Sequence, residues 1–150
     1  LNLKLKNSIF VHRDFHVSNL MQVNKNIGVI DAQDALYGNM AYDLASLVDD
    51  VRIKTTNKLK EKIFLEFIRC NKKVDKNKLK NDFEILSVLR NLKIIGIFTR
   101  LSIRDKKHNY LKLIPHAWKL IEYRINKNHE FKELKFVLDK YFPKKIRQLK

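Results

Sequence analysis

The stretch HRDFHVSN sets His12, Arg13, Asp14, His16 and Asn19 within eight positions, and IDAQD adds Asp31 and Asp34. A carboxylate and an amide oxygen brought together make a hard-oxygen site suited to Mg²⁺ with bound phosphate. If Asn19 and Asp31 take that part, the carboxylate of Asp14 is free to accept a proton from an incoming hydroxyl. Two metal ligands and one base are the parts that phosphoryl transfer asks of a protein. The plainer alternative is that Asp14 and Asn19 only cap turns. Turn chemistry, however, makes no demand for Asp31 as well.

Such residues converge only if the elements around them are rigid. Residues 8–12, 20–23 and 27–31 are short runs rich in Ile, Val and Phe and read as strands. The last two are separated by NKN, a hairpin connection. If the three strands lie side by side, Asp14, Asn19 and Asp31 meet at one end of the sheet. From Ala41 onward the apolar period becomes helical. Helices are expected over 41–52, over 56–70 with Thr56 or Asn57 as cap, from about 78 to 104, over 110–125 with Pro115 near a start or kink, and over 131–142. Around Gly96 the third of these is apolar nearly all round, which suggests passage through the core. The fold class is mainly α with a small antiparallel β element.

Length and composition narrow the class. The 150 residues are 45% hydrophobic and 32% charged, the balance of a folded domain with a real core rather than a disordered chain. No apolar run is long enough for a membrane-spanning helix. One cysteine, Cys70, rules out an internal disulfide, fits a cytoplasmic protein, and reads as a small buried apolar residue on its helix. The net charge of +16 raises nucleic acid or an anionic membrane as partners. Yet residues 1–50 carry a net −2 and the remainder +18, and 24 of the 32 basic residues are Lys. Arg is the residue favoured for bidentate phosphate and base contacts, so the Lys surplus reads as solvated surface rather than as a nucleic-acid footprint.

HRDFHVSN also matches the catalytic-loop pattern H-R-D-x-x-x-x-N of protein kinases. His16 two residues after Asp14, and IDAQDA in place of D-F-G, resemble the aminoglycoside phosphotransferase-type small-molecule kinases. Within that superfamily, FVHRDFHVSNLM, GVIDAQDALYGNMAYDLASLVDD and RNLKIIGIFTRL resemble the bacterial N-acetylmuramate/N-acetylglucosamine kinases, which phosphorylate the anomeric hydroxyl of cell-wall amino sugars. The resemblance runs to about residue 125. It implies the C-terminal lobe of a protein-kinase-like fold over residues 1–142, with the catalytic loop at 10–34, a helical subdomain at 41–142 and a basic tail at 143–150. It implies Asp14 as catalytic base, Asn19 and Asp31 as Mg²⁺ ligands, and His12, Arg13 and Asp43 as residues that hold the loop. ATP, Mg²⁺ and a small sugar are the implied cofactors and substrate. Kinases of another small hydroxyl compound, such as an aminoglycoside or amino alcohol, or a non-catalytic kinase-like module, are the alternatives.

Several residues carry two readings. His16 is a loop-packing histidine or lies on the phosphate side, and Asp34 is a hydrogen-bond acceptor or faces phosphate or substrate. Arg100 is a buried structural ion-pair partner or a substrate contact. Asp49 and Asp50 read as solvated helix acids, and KKIRQLK after Pro143 as a frayed tail. The kinase nucleotide lobe, with its phosphate loop and lysine, has no counterpart here, and the chain holds three Gly in all. These 150 residues alone are therefore expected to be inactive or nearly so.

Overall fold

In the computed structural model, residues 1–148 are described. Four strands come first: β1 (Ile9–Val11), β2 (Leu20–Val23), β3 (Asn26–Val29) and β4 (Leu36–Gly38). Among the described residues six α-helices follow: α1 (Ala41–Val48), α2 (Asn57–Cys70), α3 (Lys76–Asp105), α4 (Ile114–Ile125), α5 (Lys132–Tyr141) and α6 (Lys144–Arg147). The chain divides into two compact units, residues 2–87 and the residues from Val88 onward together with Leu1.

The strands do not form the single sheet expected from the sequence. β2 and β3 pair as an antiparallel hairpin, Val23 facing Asn26, while β1 pairs antiparallel with β4, Phe10 facing Tyr37. Asn24 closes the hairpin with φ of 55°, a left-handed conformation that Asn tolerates better than most residues. Gly38 lies in close approach to β1: a Cβ there would lie 3.0 Å from the Val11 side chain across the β1–β4 pair, tighter than most Cβ contacts.

In the first unit, α1 buries Ala41, Leu44, Ala45 and Val48 against Leu79, Phe83 and Leu86 of α3, with Ile63, Phe64 and Phe67 of α2 packed alongside. Thr56 caps α2, its Oγ1 accepting from the Leu59 N–H. Asp75 caps α3, accepting from the N–H groups of Asn77 and Lys78. α1 ends at Val48, earlier than the apolar spacing suggested. The Asp50 carboxylate accepts the Arg52 N–H two residues on, a local bond that competes with the helix. Asp49 and Asp50 are not solvated acids either, being 0% and 1% exposed. Asp49 takes the Lys60 ammonium at 2.6 Å and a hydrogen bond from Ser87, and Asp50 pairs with Arg52 at 3.1 Å. Cys70 is exposed rather than buried, its thiol 3.8 Å from Glu66.

In the second unit, Phe98 stacks with Tyr110 and Trp118 with Phe142. Gly96 is exposed, so α3 does not run through the core there. The apolar residues that recur every three positions from Phe83 explain the error. Three residues fall about 60° short of a full turn, so the stripe winds around the helix and brings Leu89 to the surface. Nor is the tail frayed over residues 143–148. Arg147 on α6 is 5% exposed, with Glu122 at 2.9 Å, Asp139 at 2.7 Å and Trp118 beneath its guanidinium. Residues 149–150 lie outside the described residues.

Candidate active site

The loop between β1 and β2 leaves its strand at His12, and two carboxylate oxygens receive it. Asp43, in the first turn of α1, accepts the backbone N–H of His12 at 2.7 Å and that of Arg13 at 3.0 Å. Arg13 has φ of 72°, a left-handed conformation costing a non-glycine residue on the order of 1–2 kcal/mol. The paired grip of Asp43, together with an Arg13 guanidinium bond to the Asp34 carbonyl at 3.3 Å, maintains that conformation and so aims the next residue, Asp14. Asp34 thus contributes its backbone here, while its side chain is exposed.

Three further bonds gather the remaining residues although they flank strands of different sheets. The Asn19 amide nitrogen donates to the Asp14 carbonyl at 3.0 Å, and the Ile30 N–H donates to the Asn19 carbonyl at 3.1 Å. The His12 ring Nε2 meets the Ile30 carbonyl at 2.9 Å, which requires the proton on Nε2. Asp31 follows Ile30 directly and has φ of 70°, a second left-handed residue at the same place. Asp14, Asn19 and the residue before Asp31 are therefore tied to one another through the backbone. Asn19 is buried, Asp14 is half-buried and Asp31 is exposed. His16 is buried within the loop, its N–H on the Asp14 carbonyl and its carbonyl on the Asn19 N–H. Arg100 is exposed on the part of α3 that belongs to the second unit, so it is not a buried ion-pair residue.

The donor set fits a hard divalent cation. Asn19 has committed its amide nitrogen to Asp14, which leaves Oδ1 as the atom it can offer, and Asp31 offers a carboxylate. Among the described residues no three His, Cys, Asp or Glu side chains are grouped to hold a metal by themselves. Mg²⁺ does not need such a cage, since it takes one or two protein oxygens and completes its shell with water and phosphate.

Sequence reasoning missed two contributors, Asn39 and Asp82. Asp82 is fully buried and receives four hydrogen bonds, from the N–H groups of Lys4 and Leu5 and the side-chain amides of Asn39 and Asn81. The signal was present. Asp82 stands on the apolar stripe Leu79, Phe83, Leu86, where a carboxylate is out of place unless it is bonded.

Comparison with known proteins bears on the family. Residues 1–67 match the phosphotransferase enzyme family. The chain is 30% identical over 147 residues to the N-acetylmuramate/N-acetylglucosamine kinase of Caulobacter vibrioides, covering 94% of this chain and 40% of that protein. It is 37% identical over 113 residues to the protein of the same name from Neisseria meningitidis serogroup B, covering 71% and 34%. With that from Pseudomonas aeruginosa it shares 33% over 144 residues, covering 84% and 39%. The chain thus spans about two fifths of the length of the curated relatives it matches. The helical architecture with its small antiparallel β element is that of the C-terminal lobe of the protein-kinase-like fold.

Proposed function

We infer that this chain, which belongs to the phosphotransferase enzyme family, carries the acid–base and metal-binding half of an ATP-dependent kinase acting on a sugar hydroxyl. The observation that carries this reading is the set of bonds joining Asp14, Asn19 and Ile30, with Asp43 gripping the loop. The substrate we propose is N-acetylmuramate or N-acetylglucosamine, the sugars in the names of the relatives, and we further propose the anomeric hydroxyl as acceptor and a role in cell-wall sugar salvage in the cytoplasm. No helix among the described residues is long and apolar enough to cross a membrane.

Asp14 accepts the proton of the attacking hydroxyl as its oxygen bonds to the γ-phosphorus, while the bond from that phosphorus to the β–γ bridging oxygen breaks and ADP leaves. Asn19 Oδ1 and the Asp31 carboxylate would hold Mg²⁺, which when bound neutralises charge on the phosphate oxygens. His12 ties the loop to residue 30, and Arg13 ties it to residue 34. The β2–β3 hairpin carries exposed apolar side chains on both faces, Met21 and Val23 on one and Ile27 and Val29 on the other. A two-stranded hairpin is marginal by itself, and we propose that a nucleotide-clamping lobe packs on it.

The test is a sugar-dependent ADP-release assay on the complete protein that contains this chain, run with loss of reducing-end signal as the mark of anomeric phosphorylation. Asp14→Asn is expected to lower kcat by about 10²-fold or more with the fold retained. Normal turnover in that variant, or none in the unchanged protein with either sugar, would sink the reading.

A further inference from the structure

We propose that Asp82 and Asn39 form a positioning pair for the catalytic loop, setting the placement of α1 and thereby of Asp43. The inference rests on the phosphoryl-transfer reading for its consequence in turnover, and on geometry alone for the coupling itself. Each oxygen of the Asp82 carboxylate takes two donors. Oδ1 receives the Lys4 N–H at 2.7 Å and the Asn81 amide at 2.9 Å, and Oδ2 receives the Leu5 N–H at 2.8 Å and the Asn39 amide at 2.7 Å. A carboxylate has about four lone-pair positions, so all are occupied, and no other side chain of this size could serve the four donors.

Asn39 is the branch point. Its amide nitrogen meets Asp82, while its Oδ1 accepts the Ala41 N–H at 3.0 Å, the first residue of α1. Two residues further along that helix is Asp43, which holds His12 and Arg13. The apolar contacts of Leu44, Ala45 and Val48 with α3 keep α1 against its neighbour. Such contacts are non-directional and permit sliding along the interface, whereas a buried hydrogen bond at 2.7 Å fixes one placement. The route from Asp82 to Asp14 is therefore Asn39, the first turn of α1, Asp43 and the backbone of residues 12–13. It lies within residues 2–87 throughout.

Asn39→Ser isolates the link. A serine hydroxyl can still accept the Ala41 N–H in a local turn, but it cannot reach Asp82. Amide hydrogen exchange on the complete protein is expected to show His12 and Arg13 exchanging about tenfold faster or more, with Lys4 and Leu5 still protected. In the same variant kcat falls while KM for sugar and for ATP stays within about twofold, the signature of lost alignment rather than lost binding. Asp82→Asn, which leaves one oxygen for four donors, is expected to free Lys4 and Leu5 as well. Unchanged exchange at His12 and Arg13 in Asn39→Ser would overturn the proposal. So would loss of protection spread evenly into α2, because the pair would then support the whole unit and not the loop. The exchange result decides the coupling even if the unchanged protein proves inactive on both sugars, which would count against the proposed function alone.

Discussion

The Asp43 carboxylate holds the loop between β1 and β2 at both His12 and Arg13, one oxygen on each backbone N–H, at 2.7 and 3.0 Å. Hydrogen bonds to an ionised acceptor contribute about 1.5–3 kcal/mol each, so the pair is strong enough to maintain the left-handed Arg13. Asp43→Asn keeps one acceptor and turns an amide NH₂ toward the other N–H. The expected result is a fall in kcat of roughly tenfold or more with KM little changed. Steady-state kinetics on the folded variant check it, and an unchanged kcat would mean that Arg13 is held by other means.

The core offers a separate test, independent of activity. Lys60 and Asp49 are both buried and meet at 2.6 Å. Lys60→Met retains most of the side-chain stem but leaves an ionised carboxylate in the interior without that countercharge. Breaking a buried pair from one side costs about 3–5 kcal/mol. Urea denaturation is expected to show a loss in that range, with part of it recovered in the Lys60→Met, Asp49→Asn double variant.

These buried acids also show where sequence reading stopped. The convergence of Asp14, Asn19 and the residue before Asp31 was legible because their types and spacing pointed to one chemistry. Helix periods were legible too, since α2, α4 and α5 each present one apolar face. Asp49 and Asp50 were not. Two adjacent carboxylates after a helix read as surface until the cation that covers one of them, Lys60, is located eleven residues on. The β1–β4 pair was hidden for a related reason. Both strands are three residues long, and nothing local says that Phe10 faces Tyr37 rather than β2. Long-range pairings of short elements leave almost no periodic trace.

Acid should reveal Asp82. Burial alone would push its carboxyl up, but the hydrogen bonds from Lys4, Asn39, Leu5 and Asn81 outweigh that and hold it below its ordinary 3.8. A carboxyl depressed in the folded state stabilises the fold above its unfolded value and loses that contribution as pH falls through the folded one. Stability is therefore expected to decline below about pH 4 and to do so less steeply in Asp82→Asn. Its hydrogen-bond partners are neutral amides, so this part of the acid loss should change little with salt, unlike that of exposed ion pairs. Denaturation midpoints from pH 3 to 6 at two salt concentrations check both points.

Arg13 and Lys106 make the last test, since both are left-handed, with φ of 72° and 57°, and only one belongs to the candidate active site. Lys106 follows the last residue of α3, where the Lys107 N–H returns to the Leu101 carbonyl at 3.1 Å. Glycine is the usual occupant of such a position. Lys106→Gly relieves about 1–2 kcal/mol of strain and gives back about 0.5–1 in unfolded-chain entropy, so a gain of up to about 1.5 kcal/mol is expected with unchanged turnover. Arg13→Gly relieves the same strain but deletes the guanidinium bond to the Asp34 carbonyl. Its stability should change little, while kcat falls, because on the proposed function the Arg13 side chain helps to aim Asp14. Equal kinetics in the two glycine variants would show that the Arg13 side chain plays no part in aiming it.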